Sequence, residues 1–393
     1  MANKVIVAGV GMIPFTKPGK SKPFDVMAAE AIGIALRDAG LEYADLQQAY
    51  AAYVYGESTC GQLCLYSMGM TGIPVFNVNN NCSSGSSALF LARQAVEAGQ
   101  VDCAIAFGFE QMVPGALPTV WSDRPTPFSR WNAQSQTLQP SPGAYPAPHL
   151  FGGAGLEYQR KYGTRPETFA QISVKARRHA EHNERAIFRA AVTLEEVLAS
   201  PPIYGPLTRL QCCPPTCGSA AAILVSESFA ARRRINSRVR ILGQAMATDL
   251  PSTFEAHSMI MAVGYDMTQV AAQQVYKRSG IGPDELDVVE LHDCFSANEL
   301  ISYEALGLTA EGTAERFIWD GDNTYGGKVV TNPSGGLLSK GHPLGATGLA
   351  QCTELVEQLR GASGARQVDG AEFALQHNIG IGGACVVTMY GNV

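Results

Sequence analysis

Nine residues, Asn79-Asn80-Asn81-Cys82-Ser83-Ser84-Gly85-Ser86-Ser87, place a single cysteine where an apolar strand gives way to an amphipathic helix. Ile73 to Val78 reads as the strand. Ala88, Leu89, Ala92 and Val96 recur at helical spacing, and the run stops at Gly99. Cys82 is therefore expected at a helix N-terminus, where unpaired N–H groups and the positive end of the helix dipole favour a thiolate nucleophile. The competing reading is a buried, inert cysteine. The small polar neighbours argue against it, because they leave room for a substrate carbonyl.

Three further segments have the same character. Leu291-His292-Asp293-Cys294-Phe295-Ser296 ends a buried strand and opens a helix, with Ser296 and Glu299 at capping-box spacing. Asn332 to Gly336, continuing through Ser339-Lys340-Gly341-His342-Pro343-Leu344-Gly345-Ala346-Thr347-Gly348, is a glycine-rich loop that delivers His342 just before a helix ending at Gly361. Gln376-His377-Asn378-Ile379-Gly380-Ile381-Gly382-Gly383 follows a strand with a turn able to expose backbone N–H groups as an oxyanion hole. A cysteine nucleophile, a histidine base, a second cysteine and a donor-rich turn are the parts needed for acyl transfer through a thioester.

An internal repeat supplies the elements that position these groups. A helix ending at Gly40, the segment Leu41 to Leu46 and a strand from Ala49 to Tyr55 are echoed by a helix ending at Gly280, Ile281 to Leu286 and a strand from Asp287 to Leu291. Ser84 to Gly99 and the strand Val101 to Phe107 are likewise matched by Ala346 to Gly361 and Glu372 to His377. With an offset of 262 residues Cys82 maps to Leu344, two positions from His342, so pseudo-twofold packing would bring the two side chains face to face. Strands apolar throughout and alternating with helices predict a largely parallel sheet buried on both faces. Between the copies, Val113 to Pro148 is proline-rich and aperiodic, and Glu167 to Phe188 reads as a basic helix, together an insertion capping the site. Lys175, Arg177, Arg178, Arg185 and Arg189 could meet a phosphorylated ligand or could form an ordinary solvated face.

Composition narrows the function classes. The 393 residues are 46% hydrophobic, and 29 Lys plus Arg against 35 Asp plus Glu give a net charge of −6, unlike a general nucleic-acid binder. No apolar run reaches membrane-spanning length, and Met1 to Lys4 leads into a strand without a secretory pattern. The C-terminal Gly391-Asn392-Val393 is not a peroxisomal Ser-Lys-Leu type address. Ten scattered cysteines suit a reducing compartment. Cys60 with Cys64, and Cys213 with Cys217 beside Cys212, have metal-like spacing, but neither has a nearby histidine or a second CxxC, so no metal is expected.

Taken together, Asn79 to Cys82, His292-Asp293-Cys294-Phe295, Asn323-Thr324-Tyr325-Gly326-Gly327-Lys328, Gly341 to Gly348 and Asn378 to Gly382 resemble the thiolase family, most closely its sterol-carrier-protein type. The family usually has Ser-Asp-Gly-Ala where this chain has Thr216-Cys217-Gly218-Ser219, and Cys294 stands in for the second cysteine that classical members carry at the position of Asn378. The resemblance implies an α/β thiolase fold, two similar βαβαβαββ halves packed as a five-layer α-β-α-β-α sandwich. Residues 1–116 and 205–266 would form the N-terminal half, 117–204 an inserted loop domain and 267–393 the C-terminal half.

It also implies roles. Cys82 would take the acyl group and His342 its proton, and Cys294 would act as acid and base on the alpha carbon. His292 and His342 would stabilise the enolate, and the N–H groups of Cys82 and Gly380 the acyl-enzyme oxyanion. Lys175, Arg177, Arg178 and Asn378 are expected to meet coenzyme A, a co-substrate, with no tightly bound cofactor. A homodimer or homotetramer is implied, with Val75 to Val78 a candidate interface, in the cytoplasm of a bacterium or the peroxisome or mitochondrion of a eukaryote. The fused lipid-transfer domain of some relatives is expected to be absent. Two other activities fit the same pattern: a thiolase-fold retro-aldolase acting on CoA esters, and a non-catalytic acyl-CoA or lipid carrier.

Overall fold

A computed structural model describes residues 3–115 and 120–392. Its framework is a ten-stranded sheet built as two five-stranded halves. The N-terminal half contains β1 (Val5–Met12), α1 (Phe24–Ala39), β2 (Gln48–Ala52), α2 (Cys60–Tyr66), β3 (Val75–Val78), α3 (Ser84–Glu97) and β4 (Cys103–Glu110). An excursion then carries α4 (Ser129–Leu138), α5 (Pro146–Tyr162) and α6 (Pro166–Ala180) before β5 (Gly218–Ser226) closes this half. The C-terminal half contains β6 (Val239–Ala247), α7 (Tyr265–Ser279), β7 (Val288–Glu290), α8 (Ser296–Ala305), β8 (Val330–Thr331), α9 (Thr347–Leu359), β9 (Phe373–Gly380) and β10 (Ala384–Asn392).

Strand order is β3-β2-β4-β5-β1 in one half and β8-β7-β9-β10-β6 in the other, the same topology twice. In each, the first three strands pair in parallel and the fourth pairs antiparallel with both of its neighbours, so it alone runs against the rest. Strand pairing between the halves runs through one described residue pair, Ile6 with Arg240. β1, β4 and β5 are buried along their whole length, as their uninterrupted apolar runs require. Ala88, Leu89 and Val96 of α3 and Leu349, Ala350 and Leu355 of α9 share one core with residues of β1 and β6, so these two helices fill the central layer. α1 and α2 cover one outer face, and α7 and α8 the other. The five layers are as expected. Burying a leucine such as Leu349 contributes about 1.5–3 kcal/mol; α9 is buried almost all round, its polar Gln351, Thr353 and Glu354 included.

Two boundaries move. β6 was expected in the N-terminal half, which would have run to 266, but it pairs with β10 along its length and is the counterpart of β1; the C-terminal half starts near Val239. The excursion between β4 and β5 runs from Gln111 to Cys217 and includes a short hairpin, Pro202–Tyr204 with Leu207–Thr208; the 116/117 boundary lies outside the described residues. The excursion is more than a cap. α5 and α6 pack into the C-terminal core, with Phe151 stacked on Phe295 at 5.0 Å between ring centroids. α4 forms inside the stretch where no periodicity was evident. Among the described residues no helix is long and apolar enough to cross a membrane.

Candidate active site

The turn before α3 is stapled by its own side chains. Asn79 Oδ1 accepts the Asn81 N–H at 3.1 Å, and Asn81 takes a left-handed φ of 52°, which asparagine tolerates. Ser83 and Ser84 donate to the Asn80 and Asn81 carbonyls at 2.9 and 2.6 Å. This delivers Cys82, buried, to the start of the helix. α3 and α9 meet at their N-termini: a Cβ on Gly85 would lie 2.7 Å from the Gly345 carbonyl oxygen, so only glycine permits the approach. That contact is the pseudo-twofold meeting expected of the repeat. It brings Cys82 Sγ and one ring nitrogen each of His292 and His342 within 4.8 Å of one another.

The two imidazoles are held in opposite tautomers. The Thr347 hydroxyl donates to the Pro343 carbonyl at 3.0 Å, so its oxygen accepts from His342 Nδ1–H at 2.7 Å. His342 Nε2 is then an unprotonated acceptor, and it is buried with no hydrogen-bond partner. The Asn378 amide donates to His292 Nδ1 at 2.9 Å while its Oδ1 accepts from Ser86 at 2.8 Å, which leaves the proton of His292 on Nε2. One ring presents a bare nitrogen and the other an N–H. A metal needs lone pairs from both rings, so the fixed donor on His292 argues against this trio as a metal site.

Burial sets the charge state. It pushes the Cys82 thiol up to about 12, although its own backbone N–H pulls the other way, and holds His342 down at about 3. The expected resting thiolate is therefore replaced by a neutral thiol beside a neutral imidazole: loss of hydration outweighs the helix terminus. His292 is likewise held well below the usual histidine range by burial, then by His342 and His377. Cys294 is pushed far up by burial, then by the nearby thiols of Cys213 and Cys82. It belongs to the same site, and its carbonyl accepts the Cys213 N–H at 2.9 Å.

Gly380 abuts the Cys82 turn closely enough that a Cβ would run into the Asn80 carbonyl, and the Asn81 amide donates to the Ile381 carbonyl at 3.0 Å. The glycine turn and the Cys82 turn are thus one unit. From the excursion, Phe128 lies beside Gly382, and the Phe188 N–H donates to the Ser339 carbonyl at 3.1 Å.

The residues expected to meet coenzyme A fare differently. Lys175 is buried in an ion pair with Glu299 and bonded to Tyr303 and Thr331; it ties α6 to α8 and β8 and presents nothing to a phosphate. Arg177 lies half-buried over the Phe188 ring, and Asn378 is buried between Ser86 and His292. Arg178 alone is exposed.

Several supports carried no role in the sequence. Glu110, at the end of β4, accepts from the N–H groups of Val54, Tyr55 and Gly345 at 3.1, 2.9 and 3.0 Å, and burial raises its carboxyl to about 7. Thr216 Oγ1 accepts the His342 N–H at 3.0 Å, so the unusual Thr216 to Ser219 segment underpins the histidine loop. Asp293 accepts the Leu337 and Leu338 N–H groups at 2.7 and 3.3 Å, anchoring the approach to that loop. An acidic residue ending an apolar strand was the available signal for Glu110.

The chain matches the family description "Thiolase, N-terminal domain" over residues 5–228 and "Thiolase C-terminal domain-like" over residues 252–390. It is 52% identical over 396 residues to "Sterol carrier protein 2" of Bos taurus, across 99% of this chain and 72% of that relative. It is 35% identical to "Acetyl-CoA acetyltransferase" of Methanothermobacter thermautotrophicus, across 98% of this chain and 99% of the other. Among solved structures it resembles "Ltp2-ChsH2(DUF35) aldolase" with a TM-score of 0.83 at 24% identity, covering 99% and 98% of the two chains. Human mitochondrial 3-ketoacyl-CoA thiolase in complex with CoA gives 0.75 at 17% identity, covering 100% and 98%. At those identities the structural likeness speaks for the fold alone.

Proposed function

The chain belongs to the thiolase family, and from that premise we propose that it is a CoA-dependent acyltransferase that cleaves 3-ketoacyl-CoA thiolytically through a Cys82 acyl-enzyme. The observation that carries this reading is the unpartnered, buried Nε2 of His342 beside the Cys82 thiol, with its tautomer fixed by Thr347.

Cys82 gives its proton to His342 Nε2 as Sγ attacks the 3-keto carbon. The bond between the alpha carbon and that carbon breaks, leaving the acyl group on sulfur and an enolate on the departing CoA thioester. His292 Nε2–H stabilises the enolate oxygen, which a weakly acidic thioester alpha carbon demands. Cys294 donates its thiol proton to the alpha carbon, releasing acetyl-CoA, or propionyl-CoA from a 2-methyl substrate. A second CoA thiol then passes its proton to the Cys294 thiolate and attacks the acyl group, and Cys82 leaves and recovers the proton held by His342. The N–H groups of Cys82 and Gly380 serve the tetrahedral oxyanions. The chemistry needs coenzyme A as co-substrate and no tightly bound cofactor.

Thiolysis of straight-chain, 2-methyl-branched and sterol-side-chain 3-ketoacyl-CoAs tests the reading. Turnover with at least one class, abolished in Cys82→Ala, is expected. Turnover that survives Cys82→Ala would point to a retro-aldolase. Binding without turnover would point to a carrier.

The assembly proposed is a homodimer or homotetramer through β3. This edge strand has one unpaired side and exposes Phe76. Sedimentation of Phe76→Lys as a smaller species than wild type would support it.

A further inference from the structure

Cys82 and Gly380 come from opposite halves of the chain, yet one side chain touches both turns. Asn81 Nδ2 donates to the Ile381 carbonyl at 3.0 Å, and Asn81 Oδ1 accepts from Cys82 Sγ at 3.7 Å. Its backbone stands in the left-handed region, and its carbonyl accepts from both the N–H and the hydroxyl of Ser84, at 3.0 and 2.6 Å. The resting thiol proton is therefore given to an amide oxygen. The base that must take it, His342 Nε2, has no partner.

We propose that Asn81 is a positioning residue with two duties: it parks the Cys82 thiol away from His342 until substrate arrives, and it locks the nucleophile turn against the Gly380 turn so that their N–H groups converge on one oxyanion. The second duty rests on the acyl-enzyme reading; the first does not. Parking protects the site. A thiol hydrogen-bonded to a neutral amide stays protonated and unreactive, whereas one turned to His342 would share its proton with a base. When a carbonyl enters, its oxygen occupies the N–H groups and Sγ rotates to His342. The hydroxyl pair of Ser84 and the carbonyl of Asn81 hold the turn itself, so the side chain is free for these two contacts.

Asn81→Gly separates the duties from the backbone, because glycine keeps a positive φ without strain. Two rates are measured on variant and wild type: alkylation of Cys82 by iodoacetamide as a function of pH, read by peptide mass, and acetylation of Cys82 by acetyl-CoA. The expected signature is a split. Alkylation near neutral pH rises about 10-fold and its midpoint moves to lower pH, while acetylation falls about 10- to 100-fold as the oxyanion donors lose alignment. Asn81→Asp, which keeps an acceptor and adds a negative charge beside sulfur, moves the alkylation midpoint upward.

Both rates unchanged in Asn81→Gly, or both falling together with an unchanged midpoint, would overturn the proposal. The melting temperature and circular dichroism of each variant identify a folding defect; if Asn81→Gly does not fold, the Asn81→Asp midpoint decides, and its failure to rise overturns the parking role. A wild-type enzyme that no acyl-CoA acylates would defeat the acyl-enzyme reading, while the alkylation profiles would still decide parking.

Discussion

Asn378 donates its amide N–H to His292 Nδ1 at 2.9 Å, and that single hydrogen bond decides which face of the imidazole carries a proton toward the reacting atoms. The amide oxygen is already taken by Ser86, so the orientation is over-determined.

Asn378→Asp replaces the donor by an acceptor and moves the His292 proton to Nδ1. Removing a fixed donor at a developing oxyanion costs about 100-fold in kcat, with KM nearly unchanged. Steady-state thiolysis kinetics of the variant check this; equal losses of kcat and affinity for CoA would instead restore the expected role of Asn378 in binding CoA.

Thr347 does the converse for His342. Thr347→Val keeps the shape and removes the acceptor of Nδ1–H, so kcat is expected to fall about 10-fold, with stability lowered by about 1 kcal/mol. Denaturant titration and thiolysis on the same preparation measure both.

Glu110 gives a pH dependence with a defined sign. Its folded carboxyl lies at about 7, above the ordinary 4.5, so the folded state binds the proton more tightly and the stability this confers is lost as pH rises through 7. Glu110→Gln removes that loss. The stability of Glu110→Gln relative to wild type should grow by about 3 kcal/mol between about pH 4.5 and about pH 8. Urea midpoints at the two pH values test it, and a constant difference would contradict it.

Gly380→Ala forces a Cβ onto the Asn80 carbonyl, which is backbone and can yield only by moving the nucleophile turn. A loss of about 100-fold in the rate of Cys82 acylation is expected, with His292 and His342 untouched. Single-turnover acetylation reads it directly.

How far the sequence carried depends on what kind of signal each feature leaves. The two halves, the central helices and the four turns that meet around Cys82 were legible because strand–glycine–helix punctuation and apolar runs are local. The start of the C-terminal half was not, because β6 shows its allegiance only through its partner β10, far along the chain. The thiolate expected of Cys82 failed for a similar reason: a helix N-terminus is visible in sequence, whereas the burial that outweighs it is a property of two halves closing on each other. Lys175 misled in the same way. A basic helix reads as a phosphate-binding face, yet Glu299, which claims the lysine, lies on a distant helix.

The proposed reaction requires Cys82 to carry the acyl group and Cys294 only a proton. Intact-protein and peptide mass spectrometry of wild type, Cys82→Ser and Cys294→Ser after incubation with acetyl-CoA separates the two thiols. An acetyl mass on Cys82 in wild type and in Cys294→Ser, with no thioester in Cys82→Ser, is the predicted result; acetylation mapped to Cys294, in wild type or in Cys82→Ser, would contradict it.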